Sequence, residues 1–280
     1  MRSTNPILSR PDAWQVEPTQ PQGGQSQQYQ GQQYQGYPQT AQPYAYGDAN
    51  APQFGQPGRL AGRMTIDDVI TKSAITLGVL MAVAGVTFLF LPTALIFPVW
   101  IVTAIVSFGA AMLVAARRKV NPGFVLVYAA IEGVFIGAIS KAYESLWSGI
   151  VPAAVLGTLV AAAATLAAYK FFRIRVTDKF RKMVMIGTIA YAGVLLVNLL
   201  LSLFGIGNIF ASANIGLLLL ISAIGVGLAV FNLILDFDFI EQGIAIGAAS
   251  SESWRAAFGL TVTMVWLYIE MLRLLSYFRR

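Results

Sequence analysis

The chain has 280 residues, 56% of them hydrophobic and only 11% charged, with a mean hydropathy of +0.65. A soluble domain carries about a quarter of charged residues. It has no cysteine and no histidine, which excludes disulfides, thiolate nucleophiles, Cys/His zinc sites, histidine general bases and a Ser–His intramembrane protease. The net charge of +6 does not call for nucleic acid, because excess Lys and Arg in a membrane protein mark its cytoplasmic loops.

Residues 1–60 form the first region. They are rich in Gln, Gly, Tyr and Pro, almost lack aliphatic side chains, and repeat "QQYQG" at 27–31 and 32–36. Such a segment buries too little apolar surface to offset the entropy of ordering, so a disordered, solvated tail is expected. No apolar run precedes it, and no cleavable signal peptide is expected.

Residues 61–280 read as a transmembrane domain. Crossing a hydrocarbon core of roughly 30 Å takes about 20 residues of helix, and seven apolar runs qualify: 74–96, 98–116, 123–143, 150–169, 183–204, 212–235 and 256–277. A β-barrel would show short alternating segments instead. The fold class is therefore all-α, a polytopic helical bundle in the lipid bilayer. Short connections favour antiparallel neighbours. Gly133 and Gly137 make a GxxxG pair on the third span, and "GVGL" lies within the sixth; close helix packing is the expected use of both.

Basic residues set the orientation. Arg59, Arg63 and Lys72 precede the first span, Arg117, Arg118 and Lys119 follow the second, and Lys170, Arg173, Arg175, Lys179, Arg181 and Lys182 separate the fourth and fifth. The other side has Lys141 and nothing basic at 205–211. The positive-inside rule then places the tail and these clusters in the cytoplasm. Seven full crossings leave Arg279 and Arg280 outside, whereas a re-entrant last segment returns them; seven crossings are favoured because 256–277 is long enough.

Ionisable groups inside the apolar runs carry the functional signal. An Asp at a helix centre costs about 2.5–3.5 kcal/mol to insert, so it normally faces a partner or a water-filled cavity. The candidates are Glu132 on the third span, Asp236 and Asp238 at the end of the sixth, and Glu270 with Arg273 on the seventh. Glu241 is better placed for simple hydration, and Glu270 and Arg273 are i,i+3 neighbours able to neutralise one another. Glu132 needs a partner as well, so a shared polar interior is expected. Two carboxylates meeting in a partly desolvated place cannot both ionise cheaply, which makes a proton switch. The same oxygens suit a hard cation such as calcium.

"YAAIEGVFIGAISKAYES" on the third span, "LDFDFIEQG" closing the sixth and "WLYIEMLRLLSYF" on the seventh resemble the Bax inhibitor family, also called the transmembrane Bax-inhibitor-motif or YccA family. The resemblance covers about residues 66–280 and leaves the tail outside. It implies a central seventh helix wrapped by six others, in a bacterial plasma membrane. It also implies a pH-sensitive calcium leak whose sensor is a carboxylate pair, one member ending span six and one on span seven, with an arginine closing span two as the closed-state latch. Carried onto this chain, the pair is Asp238 and Glu270, with Asp236 as the fallback, and the latch is Arg117 or Arg118. Calcium would then meet Asp238 and Glu270. Glu270 stands where other members carry Asp, and the connection between the two acids is longer than in compact relatives. The resemblance further offers a regulator or partner of a membrane-bound ATP-dependent protease. An aspartyl intramembrane protease is disfavoured, since there is no GxGD motif. The expectation is a non-enzyme without cofactor, its ligands being calcium or protons.

Overall fold

The computed structural model describes residues 62–117, 120–172, 174–205, 210 and 213–279. The chain divides into Met1–Pro52 and Gln53–Arg280, and every described residue belongs to the second unit. The expected tail, Arg118, Arg173 and Arg280 lie outside the described residues.

Among the described residues seven helices are long and apolar enough to cross a membrane. They are α1 (Ile66–Phe90), α2 (Ile96–Ala115), α3 (Pro122–Leu146), α4 (Ile150–Phe171), α5 (Asp178–Leu203), α6 (Ile215–Ala245) and α7 (Glu252–Phe278), with a short turn of 3-10 helix at Thr93–Leu95. Polar side chains start them. Thr65, Asn121, Thr177 and Asn214 each accept a hydrogen bond from a backbone N–H in the first turn of α1, α3, α5 and α6, satisfying donors the helix leaves open. The α4 start differs: Gly149 turns the chain at φ 77°, and Glu144 accepts from the N–H of Val151 at 3.0 Å.

Three helices depart most from the apolar runs. The first helix begins at Ile66 rather than 74, because Thr65 caps it and Lys72 neutralises Asp68 at 2.6 Å; it stops at Phe90, ahead of Pro92. The fifth begins at Asp178 rather than 183. The sixth continues past 235 to Ala245, so Asp236, Asp238 and Glu241 lie inside a helix rather than on its flank. Hydropathy alone ends a span at the first acids, whereas a helix continues wherever its polar side chains find partners.

The last helix crosses fully. Near its start Arg255 donates to the carbonyl of Arg117 at 3.3 Å, and at its end Arg279 donates to the carbonyl of Ser148 at 2.6 Å. Those acceptors lie at opposite ends of α3, so α7 runs the same length as α3 and the re-entrant alternative is set aside.

Among the seven, α3 is the most buried, followed by α7. Helix α7 packs along α6, α1, α4 and α3. Two helices reach it through side chains: Val114 of α2 shares an apolar cluster with Tyr128 and Phe258, and Tyr191 of α5 stacks on Trp266 at 6.0 Å. The seventh helix is thus central, with α3 as a second inner helix. The GxxxG pair packs α3 on α1. A methyl group at Gly133 would come within 2.6 Å of the Leu80 carbonyl, and one at Gly137 within 2.6 Å of the Ala84 carbonyl. Exposed Phe90, Phe108, Ile186 and Leu220 belong to the face that meets lipid.

Candidate functional site: the buried acids

The acids are distributed along the bundle, each with its own partners. Asp236 and Asp238 are two residues apart on α6, and i,i+2 positions of a helix face different neighbours. One turns to α7 and the other to α5.

Asp238 is buried, and its Oδ2 accepts from Arg181 Nη2 at 2.9 Å and from Gln242 Nε2 at 2.7 Å. Arg181 comes from the first turn of α5, whose early start brings it into the bundle. Its side chain is 47% exposed against 13% for Asp238, so the pair joins a buried acid to a cation at the rim.

Asp236 accepts at Oδ2 from the Thr263 hydroxyl of α7 at 2.6 Å. A cavity of about 230 Å³ reaches this acid. Val114, Val120 and Phe258 give it apolar walls, and Arg255 contributes a cation. On α7, the side chain opposite the α6 acid is therefore a threonine hydroxyl.

Glu270 is fully buried. Arg273 Nη1 donates to its two oxygens at 3.0 and 3.2 Å, Tyr191 Oη donates at 3.0 Å, and Trp266 Nε1 lies at 3.4 Å. Arg273 also donates to the Tyr191 oxygen at 3.1 Å. This knot exists because position 225 is glycine: a methyl group there would sit 2.4 Å from the Tyr191 hydroxyl and 2.6 Å from Glu270 Oε2. At Gly225 the "GVGL" stretch makes room for a charge pair rather than for a neighbouring backbone.

Glu132 is buried between α2 and α3, where it accepts from the Ser107 hydroxyl and bonds Tyr128. Glu241 is exposed and accepts from Tyr169 at 2.6 Å.

The structure does not bring Asp238 and Glu270 together. Glu270 packs at the level of Gly225, about 20 Å from Asp238 along α6 at 1.5 Å per residue. It does bring Glu270 and Arg273 together, as their spacing suggested. The single shared polar interior is replaced by separate polar sites. Arg117 is exposed with its guanidinium 3.8 Å over the Phe124 ring, and Arg118 lies outside the described residues. The arginine that holds a span-six acid is Arg181. Among the described residues no three acids converge as a cation cage would need.

Tyr191, Thr263 and Ser107 escaped sequence reading, and Arg181 was legible there only as a basic residue of the turn before the fifth span. Positions 181, 184, 188 and 191 fall on one face of α5, so a helix started at 178 would have exposed a polar stripe containing two of them. Thr263 and Ser107 sit in apolar runs as ordinary small polar residues and send no signal.

A family model described as Bax inhibitor 1 like matches residues 5–280. The match takes in nearly all of the Gln/Tyr-rich tail that the motif resemblance left outside. No curated protein matches the chain.

Proposed function

The chain belongs to the Bax inhibitor 1 like family, and from that premise we propose that it is a pH-sensitive calcium leak of the bacterial plasma membrane. In this reading the tail and the basic turns face the cytoplasm, as the distribution of Lys and Arg requires. Calcium is the cargo, and protons control its passage.

The observation that carries the reading is the Arg181–Asp238 ion pair at 2.9 Å. It ties α5 to α6 at the end of the bundle that holds the basic turns. Asp238 also faces Gln242 on its own helix, and the Glu241–Tyr169 contact lies beside it. A carboxylate attracts the guanidinium only while ionised. The pair is the ionic link between α5 and α6, and its hold depends on the charge of the acid. Release frees α5 from α6 at its basic end, while Asp236, on the α7 side of the same helix, lines the cavity with a carboxylate that suits a hard cation. Glu270, bound by Arg273 and Tyr191, is the inner restraint. The acids act at separate sites rather than as one proton-sharing pair.

Reconstitution into calcium-free liposomes with an internal calcium dye tests this. The expected result is influx that rises as external and internal pH are lowered together. Liposomes as tight as protein-free controls at every pH would remove the leak and favour a partner of a membrane-bound ATP-dependent protease.

A further inference from the structure

Between α4 and α5 lies a surface that the acid sites do not use. Lys170, Arg175, Lys179, Arg181 and Lys182 are all exposed there, against two exposed acids, Asp178 and, through its contact with Tyr169, Glu241 of α6. Among the described residues only Arg181 of these five lies within ion-pair distance of a carboxylate. Phe171 and Phe172, at the end of α4, are 81% and 79% exposed. The connection is seated on the bundle: Ile174 and Val176 are half-buried while Arg175 between them is exposed, and the Ile174 N–H donates to the Tyr169 carbonyl at 3.2 Å. The alternation turns apolar side chains inward and the guanidinium outward.

This corner stands at the end of two membrane-crossing helices, where headgroups lie. Aromatic rings exposed at that depth enter the acyl boundary. Clustered Lys and Arg beside them attract anionic lipid, each contributing several-fold to binding near the surface. Zwitterionic headgroups carry no net negative charge, because their phosphate is balanced by an ammonium of the same lipid.

We propose that the 170–182 corner binds anionic phospholipid headgroups, and that a bound phosphate competes with Asp238 for Arg181. The binding stands on the corner alone; the competition rests on the latch proposed above. Arg181 suits a shared role because its half-exposed guanidinium bridges the rim to a buried acid, and its fork of donors fits phosphate as well as carboxylate.

The test uses the purified full chain in detergent, incubated with equal amounts of phosphatidylglycerol and phosphatidylcholine of identical acyl chains. Retained lipid is counted by mass spectrometry of intact complexes. The wild-type chain should retain phosphatidylglycerol with a preference of about threefold or more, and high salt should remove it. The variant K170Q/R175Q/K179Q/K182Q should retain the two lipids equally, while K170R/K179R/K182R keeps the preference. Equal retention by the wild-type chain, or an undiminished preference in the Gln variant, would overturn the site. In liposomes, adding phosphatidylglycerol to phosphatidylcholine should raise calcium influx through the wild-type chain and not through the Gln variant. Lipid preference with influx blind to phosphatidylglycerol would overturn the competition. Absence of influx in every liposome would count against the leak itself, with lipid retention still deciding the site.

Discussion

Helices α1 and α3 meet backbone to backbone, whereas α5 is held on by side chains. At Gly133 and Gly137 nothing larger than hydrogen fits against α1, and the contact is dispersion along the helix faces. Helix α5 packs mainly on α6, and beside the ring contacts Phe180–Phe231 and Tyr191–Trp266 it has three polar attachments: Arg181 to Asp238, Thr188 to Asn232 at 2.8 Å, and Tyr191 to Glu270. The first kind of contact is indifferent to pH. The second contains carboxylates, so protonation weakens it. A bundle built this way has one fixed half and one releasable helix.

The largest test of that contrast is Arg273→Leu. Removing the cation leaves Glu270 buried without a counter-charge, and breaking such a pair costs about 3–5 kcal/mol. A large fall in the melting temperature of the detergent-solubilised chain is expected, with partial recovery in Arg273→Leu/Glu270→Gln. Full stability in the single variant would show that the buried Glu270 and the Tyr191 contact it makes with α5 do not depend on this cation.

Next comes a pair of identical substitutions. Gly137→Ala drives a methyl group into the Ala84 carbonyl and Thr87, and overpacking of this kind costs about 1–3 kcal/mol. Gly193→Ala on α5 meets nothing within 4 Å, so it should be neutral or stabilise the helix by up to about 1 kcal/mol. Thermal melts of the two variants, side by side, would erase the comparison if they moved alike.

The smallest expected change in stability is Asp238→Asn. Arg181 is half-exposed, and ion pairs with a solvated partner contribute about 1 kcal/mol or less. Its effect should appear instead in the pH dependence of flux, which flattens. Glu241→Gln should leave that dependence as it is, because among the described residues the exposed Glu241 bonds the Tyr169 hydroxyl and makes no ion pair.

The fixed half was the more legible in the sequence. Seven crossings, their order and the GxxxG contact all follow from apolar length and small-residue spacing. The ends of α1, α5 and α6 did not, since a hydropathy reading stops at Lys72, Lys182 or Asp236 while the helix carries on through them. The pairings across α5, α6 and α7 were the least legible. Whether Asp236 or Asp238 meets α7 depends on the rotation of α6, and whether Asp238 and Glu270 share a level depends on the stagger of a hairpin. Neither is written in spacing along one strand of sequence. The Glu270–Arg273 contact was legible because both residues ride on one helix turn.

The central claim is that the Arg181–Asp238 ion pair between α5 and α6 holds the proposed leak shut. Calcium influx into liposomes, followed from neutral to acidic pH for the wild-type chain and Arg181→Gln, tests it most directly. The account predicts a wild-type leak that rises as pH falls and an Arg181→Gln leak that is already high at neutral pH and changes little with acid. An Arg181→Gln chain with the wild-type pH profile would contradict it.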